Sequence, residues 1–127
     1  MELRILCDAC KAEFDLGPVG IASTSMTLDE GECEVDFFCC PRCHRVHLVA
    51  VKDARWTELK EDLDKQSARL RRAISKGSKQ LVIEVSPMVR RKKQRLANHT
   101  DRLKRKYDGR FTLVTTENGT EDLELLP

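Results

Sequence analysis

The chain has 127 residues, of which 35% are charged and 5% are aromatic, and its net charge is +2. A chain of this length forms one ordinary domain or two small units, and so few aromatic residues predict a thin core that needs a bound metal or an oligomeric partner. The longest apolar runs, such as residues 81–83, are too short to span a membrane, and the first residues lack the apolar stretch of a secretory signal. These features predict a soluble, intracellular, cytoplasmic protein.

Charge is segregated along the chain. Residues 1–52 hold five basic and nine acidic residues, and residues 53–77 hold seven and five. Residues 78–110 hold eleven basic and three acidic residues, for a net charge of +8, whereas residues 111–127 hold four acidic residues and no basic ones. The sequence therefore predicts a bipolar molecule, and this asymmetry bears on its partners rather than on its fold.

Two Cys-x-x-Cys pairs lie in the first half of the chain, each between runs that favour β-strands: Cys7 with Cys10, and Cys40 with Cys43. A tight turn between two strands points both thiolates at one ion, and two such hairpins complete a tetrahedral shell of four sulfurs. A shell with no open position is typical of a structural metal site. Within the long insert between the pairs, residues 21–28 are expected to add a strand. Disulfide bonds are the less favoured alternative, since they suit secreted chains.

The paired knuckles resemble the zinc ribbon over roughly the first 50 residues, and Cys40-Pro41-Arg42-Cys43 is similar to the usual second knuckle of that family. The resemblance implies an antiparallel β module over residues 1–52 with one structural Zn²⁺ ion. It implies little about function, because ribbons serve transcription, translation, replication and scaffolding. Lys11 and His44 stand where the family often has glycine, and a rubredoxin-like iron site with the same knuckles is a less favoured alternative. The implied metal ligands are Cys7, Cys10, Cys40 and Cys43.

Four other potential ligands are expected to have no role at the metal. Cys39 adjoins Cys40, so the two side chains of a strand face opposite sides, and Cys39 is predicted to be a small buried apolar residue. Cys33, in an acidic stretch, is predicted to be an inert thiol. His44 and His47 are predicted to be surface residues, since four thiolates already complete the shell.

At Asp53 the apolar period changes from two to about 3.6, which predicts an amphipathic helix of about 23 residues. Asp53 is expected to cap the start of this helix, and Lys76-Gly77 to end it. The predicted apolar stripe consists of Trp56, Leu59, Leu63, Leu70 and Ile74.

Residues 78–85 are compatible with a strand or a turn of helix. Ser86 and Pro87 then predict the N-cap and first turn of a second helix that ends near Tyr107. Its narrow apolar stripe suits packing against the first helix as an antiparallel hairpin, with a dimeric coiled coil as the rival. Residues 53–108 are thus predicted to form a helical arm. The stripe of the second helix consists of Val89, Leu96, Leu103 and Tyr107.

A basic strip about 20 Å long is predicted on the second helix, opposite its apolar stripe. Such a strip suits the backbone of a nucleic acid, and it contains no aromatic residue for base stacking. The alternatives are an acidic protein partner or a solvated face without a partner. The predicted nucleic-acid-binding residues are Arg91, Arg95, Arg102, Arg105 and Lys106.

Residues 109–127 are predicted to form a β-hairpin around the Asn118-Gly119 turn, which packs on the arm or extends the ribbon sheet. The alternative is an acidic tail that covers the basic strip. The predicted fold class is therefore α+β: a small antiparallel β ribbon, then a helical hairpin or coiled-coil arm, then a C-terminal β-hairpin.

The sequence contains no phosphate-binding glycine loop, no Gly-x-Ser-x-Gly and no His-Glu-x-x-His. It therefore predicts a non-enzymatic zinc-binding accessory or regulatory protein whose basic helix contacts nucleic acid. The alternative is a structural or adaptor protein that forms a homodimer or larger assembly, or docks on an acidic protein surface, through its helices.

Overall fold

A computed structural model describes residues 4–126, apart from the side chain of Pro18. Residues 1–3 and 127, which belong to the first and last predicted segments, lie outside the described residues. The α+β class and the predicted order of β module, helices and hairpin are confirmed. The elements are β1 (Arg4–Leu6), β2 (Glu13–Asp15), α1 (Leu16–Val19), β3 (Ala22–Leu28), β4 (Gly31–Cys39), β5 (Val46–Lys52), α2 (Ala54–Ser75), α3 (Lys79–Tyr107), β6 (Phe111–Thr115) and β7 (Glu121–Leu125).

The strands form three antiparallel sheets: β1 with β2, β3 with β4 and β5, and β6 with β7. The strand expected in the insert is β3, which pairs along its whole length with β4. Along β4 the buried Cys33 and Val35 alternate with the exposed Glu32 and Glu34. This period of two is that of a sheet with one face on the core and one on solvent.

The main core lies between the three-stranded sheet, the end of α3 and the C-terminal hairpin. Its buried members come from all three predicted segments of the chain, and Leu113, Leu123 and Leu125 pack against it from the hairpin. The hairpin forms a separate two-stranded sheet and does not extend the ribbon sheet, and it packs against both the end of α3 and the three-stranded sheet. The buried core residues are Leu28, Cys33, Val35, Phe37, Val46, Leu48, Val51, Leu103, Tyr107 and Phe111.

Helices α2 and α3 pack as the antiparallel hairpin that the sequence predicted. Leu63 of α2 forms a buried cluster with Val85 and Val89 of α3. Nearer the sheet, the Trp56 indole N–H donates to the Thr100 hydroxyl at 3.1 Å. Neither long helix carries an apolar stretch that would cross a membrane, among the residues described.

The predicted ends of α2 are confirmed. Asp53 is its N-cap, and the Asp53 carboxylate accepts the Trp56 backbone N–H at 2.7 Å. The helix ends at Ser75, Lys76 is its C-cap, and Gly77 follows with a φ of 70°, a conformation that glycine adopts without steric cost. The stripe prediction was wrong at Ile74, which is 61% exposed, because the adjacent Ala73 is buried in its place.

The predicted start of the second helix was wrong. Helix α3 begins at Lys79, so the ambiguous residues 78–85 are almost entirely helical and Pro87 lies inside the helix. An interior proline removes one helical hydrogen bond and costs about 3 kcal/mol. The helix continues through Pro87 because Val85 and Val89, on either side of it, are both buried against α2.

The end of α3 is hydrogen-bonded to the turn between β3 and β4. The Tyr107 hydroxyl donates to the Glu30 carboxylate at 2.5 Å, and the Lys106 ammonium donates to its other oxygen at 2.6 Å. Burial alone would raise the pKa of Glu30, but these two hydrogen bonds outweigh it and hold that pKa below its usual value. The ionised carboxylate therefore stabilises the contact between helix and sheet.

A buried carboxylate, that of Asp36, lies within the sheet. Asp36 accepts a hydrogen bond from the Ser23 hydroxyl at 2.6 Å and pairs with the Lys52 ammonium at 2.9 Å. Burial would raise the pKa of Asp36, but Ser23 and Lys52 together lower it. The ionised form of Asp36 thus joins β3, β4 and β5 across one face.

Candidate metal centre and basic face

The two cysteine pairs lie in turns with the same backbone hydrogen bonds. In the first turn, the Lys11 N–H donates to the Cys7 carbonyl at 2.9 Å and the Cys7 N–H donates to the Ala12 carbonyl at 2.9 Å. In the second turn, the His44 N–H donates to the Cys40 carbonyl at 2.9 Å and the Cys40 N–H to the Arg45 carbonyl at 3.0 Å. Identical turns place both thiol pairs at the ends of their hairpins.

Lys11 and His44 both have a φ of 63°, and they are the non-glycine residues with positive φ among those described. This left-handed conformation costs about 1–2 kcal/mol for a residue with a side chain, and glycine adopts it freely. The positions where the sequence departs from the glycine of the zinc ribbon are therefore the positions where the backbone favours glycine.

The four predicted metal ligands converge on one point. Their sulfur atoms all lie within 4.8 Å of one another. The Cys7 and Cys43 sulfurs are 3.6 Å apart, as are those of Cys10 and Cys40. Four sulfurs at about 2.3 Å from a central zinc ion form a tetrahedron with edges of about 3.8 Å. The geometry therefore fits a four-coordinate metal ion and is consistent with a zinc-binding site.

The turns also favour thiolates. Backbone N–H groups of Cys10 and Ala9 lower the pKa of Cys7 to about 7, and those of Cys43 and Arg42 lower the pKa of Cys40 to about 6. The Arg45 N–H favours the Cys43 thiolate too, but desolvation and the neighbouring thiols outweigh it and raise the pKa of Cys43 to about 12. Four such groups cannot all ionise side by side without a cation, which a metal ion supplies.

A small apolar cluster surrounds the sulfurs. Phe14 of β2 is buried with Cys7 and Cys40, and its ring meets that of Phe38 edge-to-face at 6.0 Å between centroids. Phe38 in turn stacks on the His47 ring at 5.0 Å. This cluster buries Cys7 and Cys40, leaves Cys43 exposed, and joins the β1–β2 hairpin to β4 and β5.

His47 differs from its prediction as a surface residue. It is half-buried, and a ring nitrogen lies within 4.8 Å of both the Cys7 sulfur and a carboxylate oxygen of Asp8. Its Nε2 atom is buried and has no hydrogen-bond partner within residues 4–126. A histidine in this position belongs to the groups around the ligands, which orient them and tune their charge. His44 is exposed, as predicted.

The two remaining cysteines lie away from the cluster. Cys33 is buried in the main core, where its thiol donates to the Gly31 carbonyl at 3.4 Å and burial raises its pKa. Cys39 is half-buried, packs against the same core, and likewise has a raised pKa owing to burial. Both thiols are therefore un-ionised at neutral pH, and neither belongs to the metal site.

Four of the five predicted nucleic-acid-binding residues line one face of α3, the arginine face, which consists of Arg91, Arg95, Arg102 and Arg105. Three shallow grooves of about 220, 240 and 390 Å³ follow one another along it. Neighbouring grooves share Arg95 or Arg102. Lys106 lies apart, because its ammonium is paired with Asp29 and Glu30.

The four arginines have no ion-pair partner within the described residues, and the same holds for Arg90, Lys93 and Lys104 of α3. Within residues 4–126, no carboxylate lies within 4.0 Å of their guanidinium groups, whereas Lys92 is paired with Asp62. Asp101 is the acidic residue that lines one of the grooves, beside Arg102 and Arg105. The face is therefore net positive despite Asp101, and its hydrogen-bond donors are available except for the Arg102 nitrogen that bonds His99.

Sequence reasoning missed a buried polar chain that fixes Arg102. His99 is buried, its Nε2 lies 2.8 Å from the Asp53 carboxylate, and its Nδ1 lies 2.7 Å from the Arg102 guanidinium. Because arginine only donates, Nδ1 accepts, and the ring proton lies on Nε2 and is donated to Asp53. Burial would raise the pKa of Asp53, but His99 and the Trp56 N–H lower it. These hydrogen bonds from Asp53 through His99 hold Arg102 at the middle groove of the arginine face.

No family model, no curated protein and no solved structure matches this chain.

Proposed function

We propose that this protein is a non-enzymatic module in which a structural zinc ion fixes the N-terminal hairpin and the arginine face of α3 binds the phosphate backbone of a nucleic acid. The observation that carries the proposal is the row of four arginines without carboxylate partners, on a helix whose lysines at positions 92 and 106 are paired. An arginine that pairs with no carboxylate keeps its donors for phosphate oxygens.

Zinc is favoured over other metals by the ligand set. Four thiolates in tetrahedral arrangement select zinc or iron, and a closed shell with no open position suits a structural ion. The small apolar cluster around Phe14 and Phe38 supports the same role, since few other contacts hold β1 and β2 in place. The metal would therefore act on folding rather than on a substrate.

The dimensions of the arginine face suit a nucleic acid strand. From Arg91 to Arg105 the helix rises by about 21 Å, at 1.5 Å per residue. This length corresponds to about six nucleotide steps of a duplex at 3.4 Å each, and it suits contact with several phosphates. None of the residues that line the three grooves is phenylalanine, tyrosine or tryptophan, and the one histidine, His99, is buried, so we propose binding to the backbone without reading of bases.

The test is the salt dependence of binding to a fluorescent DNA duplex and an RNA duplex. Four phosphate contacts predict a log–log slope of about −4 for the wild-type protein on DNA. Replacement of the four arginines by glutamine should bring the slope close to zero and leave the helical circular dichroism unchanged. The control variant replaces Arg69, Arg71, Arg72 and Lys76 of the α2 end by glutamine, which removes the same charge elsewhere.

Equal loss of binding in both variants would mean that net charge alone attracts nucleic acid, and the arginine face would have no special role. A stable oligomer that binds neither DNA nor RNA would contradict the proposal and favour the adaptor alternative. Elemental analysis of the purified protein tests the metal separately, with one zinc ion per chain as the expected result.

A further inference from the structure

An apolar groove lies at the tip of the helical hairpin, outside the arginine face. It has a volume of about 420 Å³ and is lined chiefly by Ala73, Ile74, Gly77, Val82 and Ile83. Ile74 is 61% exposed and Ile83 is 67% exposed. The volume lies within the range of roughly 300–1,000 Å³ that is typical of ligand pockets. Large apolar side chains gathered at the rim of such a groove mark an interaction surface.

The rim of the groove is strongly basic. Lys79 lines the groove, and the exposed Arg71, Arg72 and Lys76 lie within two residues of lining residues in the sequence. None of the four is ion-paired within residues 4–126. From residue 65 to residue 100 the chain contains eleven lysines and arginines and a single acidic residue, Glu84. Asp62 pairs with Lys92, but this part of the hairpin keeps a large positive excess, which favours an occupant that carries negative charge.

We propose that this groove binds an acidic amphipathic helix of a partner protein. Apolar side chains of such a helix would enter the groove between Ile74 and Ile83, and its carboxylates would face the basic rim. Grooves of this kind recognise helices through apolar residues at spacings of three and four, with surrounding charge setting the choice of partner. The proposal concerns residues outside the arginine face and does not depend on nucleic acid binding.

The other occupants fit less well. Both helices of a second copy are net basic: α2 holds six basic and four acidic residues, and α3 holds ten and two. Two tips would therefore repel each other. Nucleic acid phosphates gain nothing from an apolar lining. A bilayer surface suits a convex apolar tip, whereas this apolar surface is concave and receives side chains.

The experiment measures fluorescence anisotropy of a labelled synthetic peptide with leucines at helical spacing and glutamate elsewhere. A peptide with the same leucines and lysine elsewhere is the control for charge. We expect Ile74→Asp and Ile83→Asp to weaken binding of the acidic peptide at least about tenfold, as for central interface residues. Ile21→Asp is the matched control, since Ile21 is 54% exposed and lies outside the groove, and it should bind as the wild type does.

Each other outcome would overturn the proposal. Equal affinity for the two peptides would show that charge plays no part, and binding unaffected by Ile83→Asp would place the peptide elsewhere. Concentration-dependent dimerisation in sedimentation experiments, lost with Ile83→Asp, would make a second copy the occupant. Binding to vesicles of anionic phospholipid that depends on Ile83, without binding of the acidic peptide, would make the tip a membrane-binding element.

Discussion

Loss of the metal site is expected to unfold the N-terminal hairpin and leave the rest of the protein folded. The perturbation is Cys10→Ser, or a strong chelator added to the wild-type protein. Cys10 is only half-buried, and serine is close to it in size, so the change removes a ligand with little effect on packing. The expected result is loss of ordered structure in β1, β2 and α1, with β3–β5, α2 and α3 retained.

The size of the effect follows from the interactions that stabilise the N-terminal hairpin and the main core. Strands β1 and β2 have three residues each and pair only with each other. Apart from the sulfurs, their main attachment is Phe14, whose burial contributes about 1.5–3 kcal/mol and whose contact with Phe38 adds about 0.5–1.5 kcal/mol. A structural zinc ion contributes roughly 10–16 kcal/mol. A bound zinc ion would therefore stabilise this hairpin more than its side-chain packing does, whereas the main core among the described residues is built from ten buried side chains outside the cysteine cluster.

The assay is hydrogen exchange followed by mass spectrometry, with far-ultraviolet circular dichroism for the helices. Amides in residues 4–20 should lose protection, and those of β4, β5 and α3 should keep it. Cys39→Ala is the matched control, because Cys39 adjoins a ligand but lies outside the cluster, and it should retain one metal ion per chain. Cooperative loss of helical signal on chelation, or unchanged protection in residues 4–20, would refute the reasoning.

Three further predictions concern stability. Tyr107→Phe should lower the free energy of unfolding by roughly 1.5–3 kcal/mol. The loss when it is combined with Glu30→Gln should be smaller than the sum of the two single losses, and additive losses in urea titrations would contradict the coupling. Folding lowers the pKa values of Glu30 and Asp36. Their contribution to the free energy of unfolding is therefore fully present above the pKa values of the unfolded chain, about 4.3 and 3.9, and is lost as the pH falls through the pKa values of the folded protein. Asp36→Asn should flatten that acid dependence, and an unchanged slope would argue against it. Lys11→Gly and His44→Gly should each stabilise the metal-bound protein by up to about 1 kcal/mol, and a lower melting temperature would contradict this.

The parts that sequence reasoning predicted are those encoded locally. The spacing within each cysteine pair fixes a turn, and the pairs then converge because each turn closes a hairpin. The ends of α2 follow from Asp53 and Gly77, whose effects act within one helical turn. Such signals do not depend on contacts between residues distant in sequence, so they can be identified from a single sequence.

The parts that it missed depend on contacts distant in sequence. Proline at position 87 argued for a helix start, but burial of Val85 and Val89 against Leu63 overrides that local preference. His99 gives no local signal, because its partner Asp53 lies 46 residues earlier in the chain. Lys106 was grouped with the arginines by helical periodicity, although its carboxylate partners come from the turn between β3 and β4.

The main core has a consequence for synthesis of the protein on the ribosome. The sheet of β3, β4 and β5 is translated early, but Leu103, Tyr107 and Phe111, which cover its apolar face, come at least 50 residues after Val51. Until those residues leave the exit tunnel, Val35 and Val51 have no partner to shield them from water. A nascent chain halted after α2 would therefore present an uncovered β surface to chaperones and to other nascent chains.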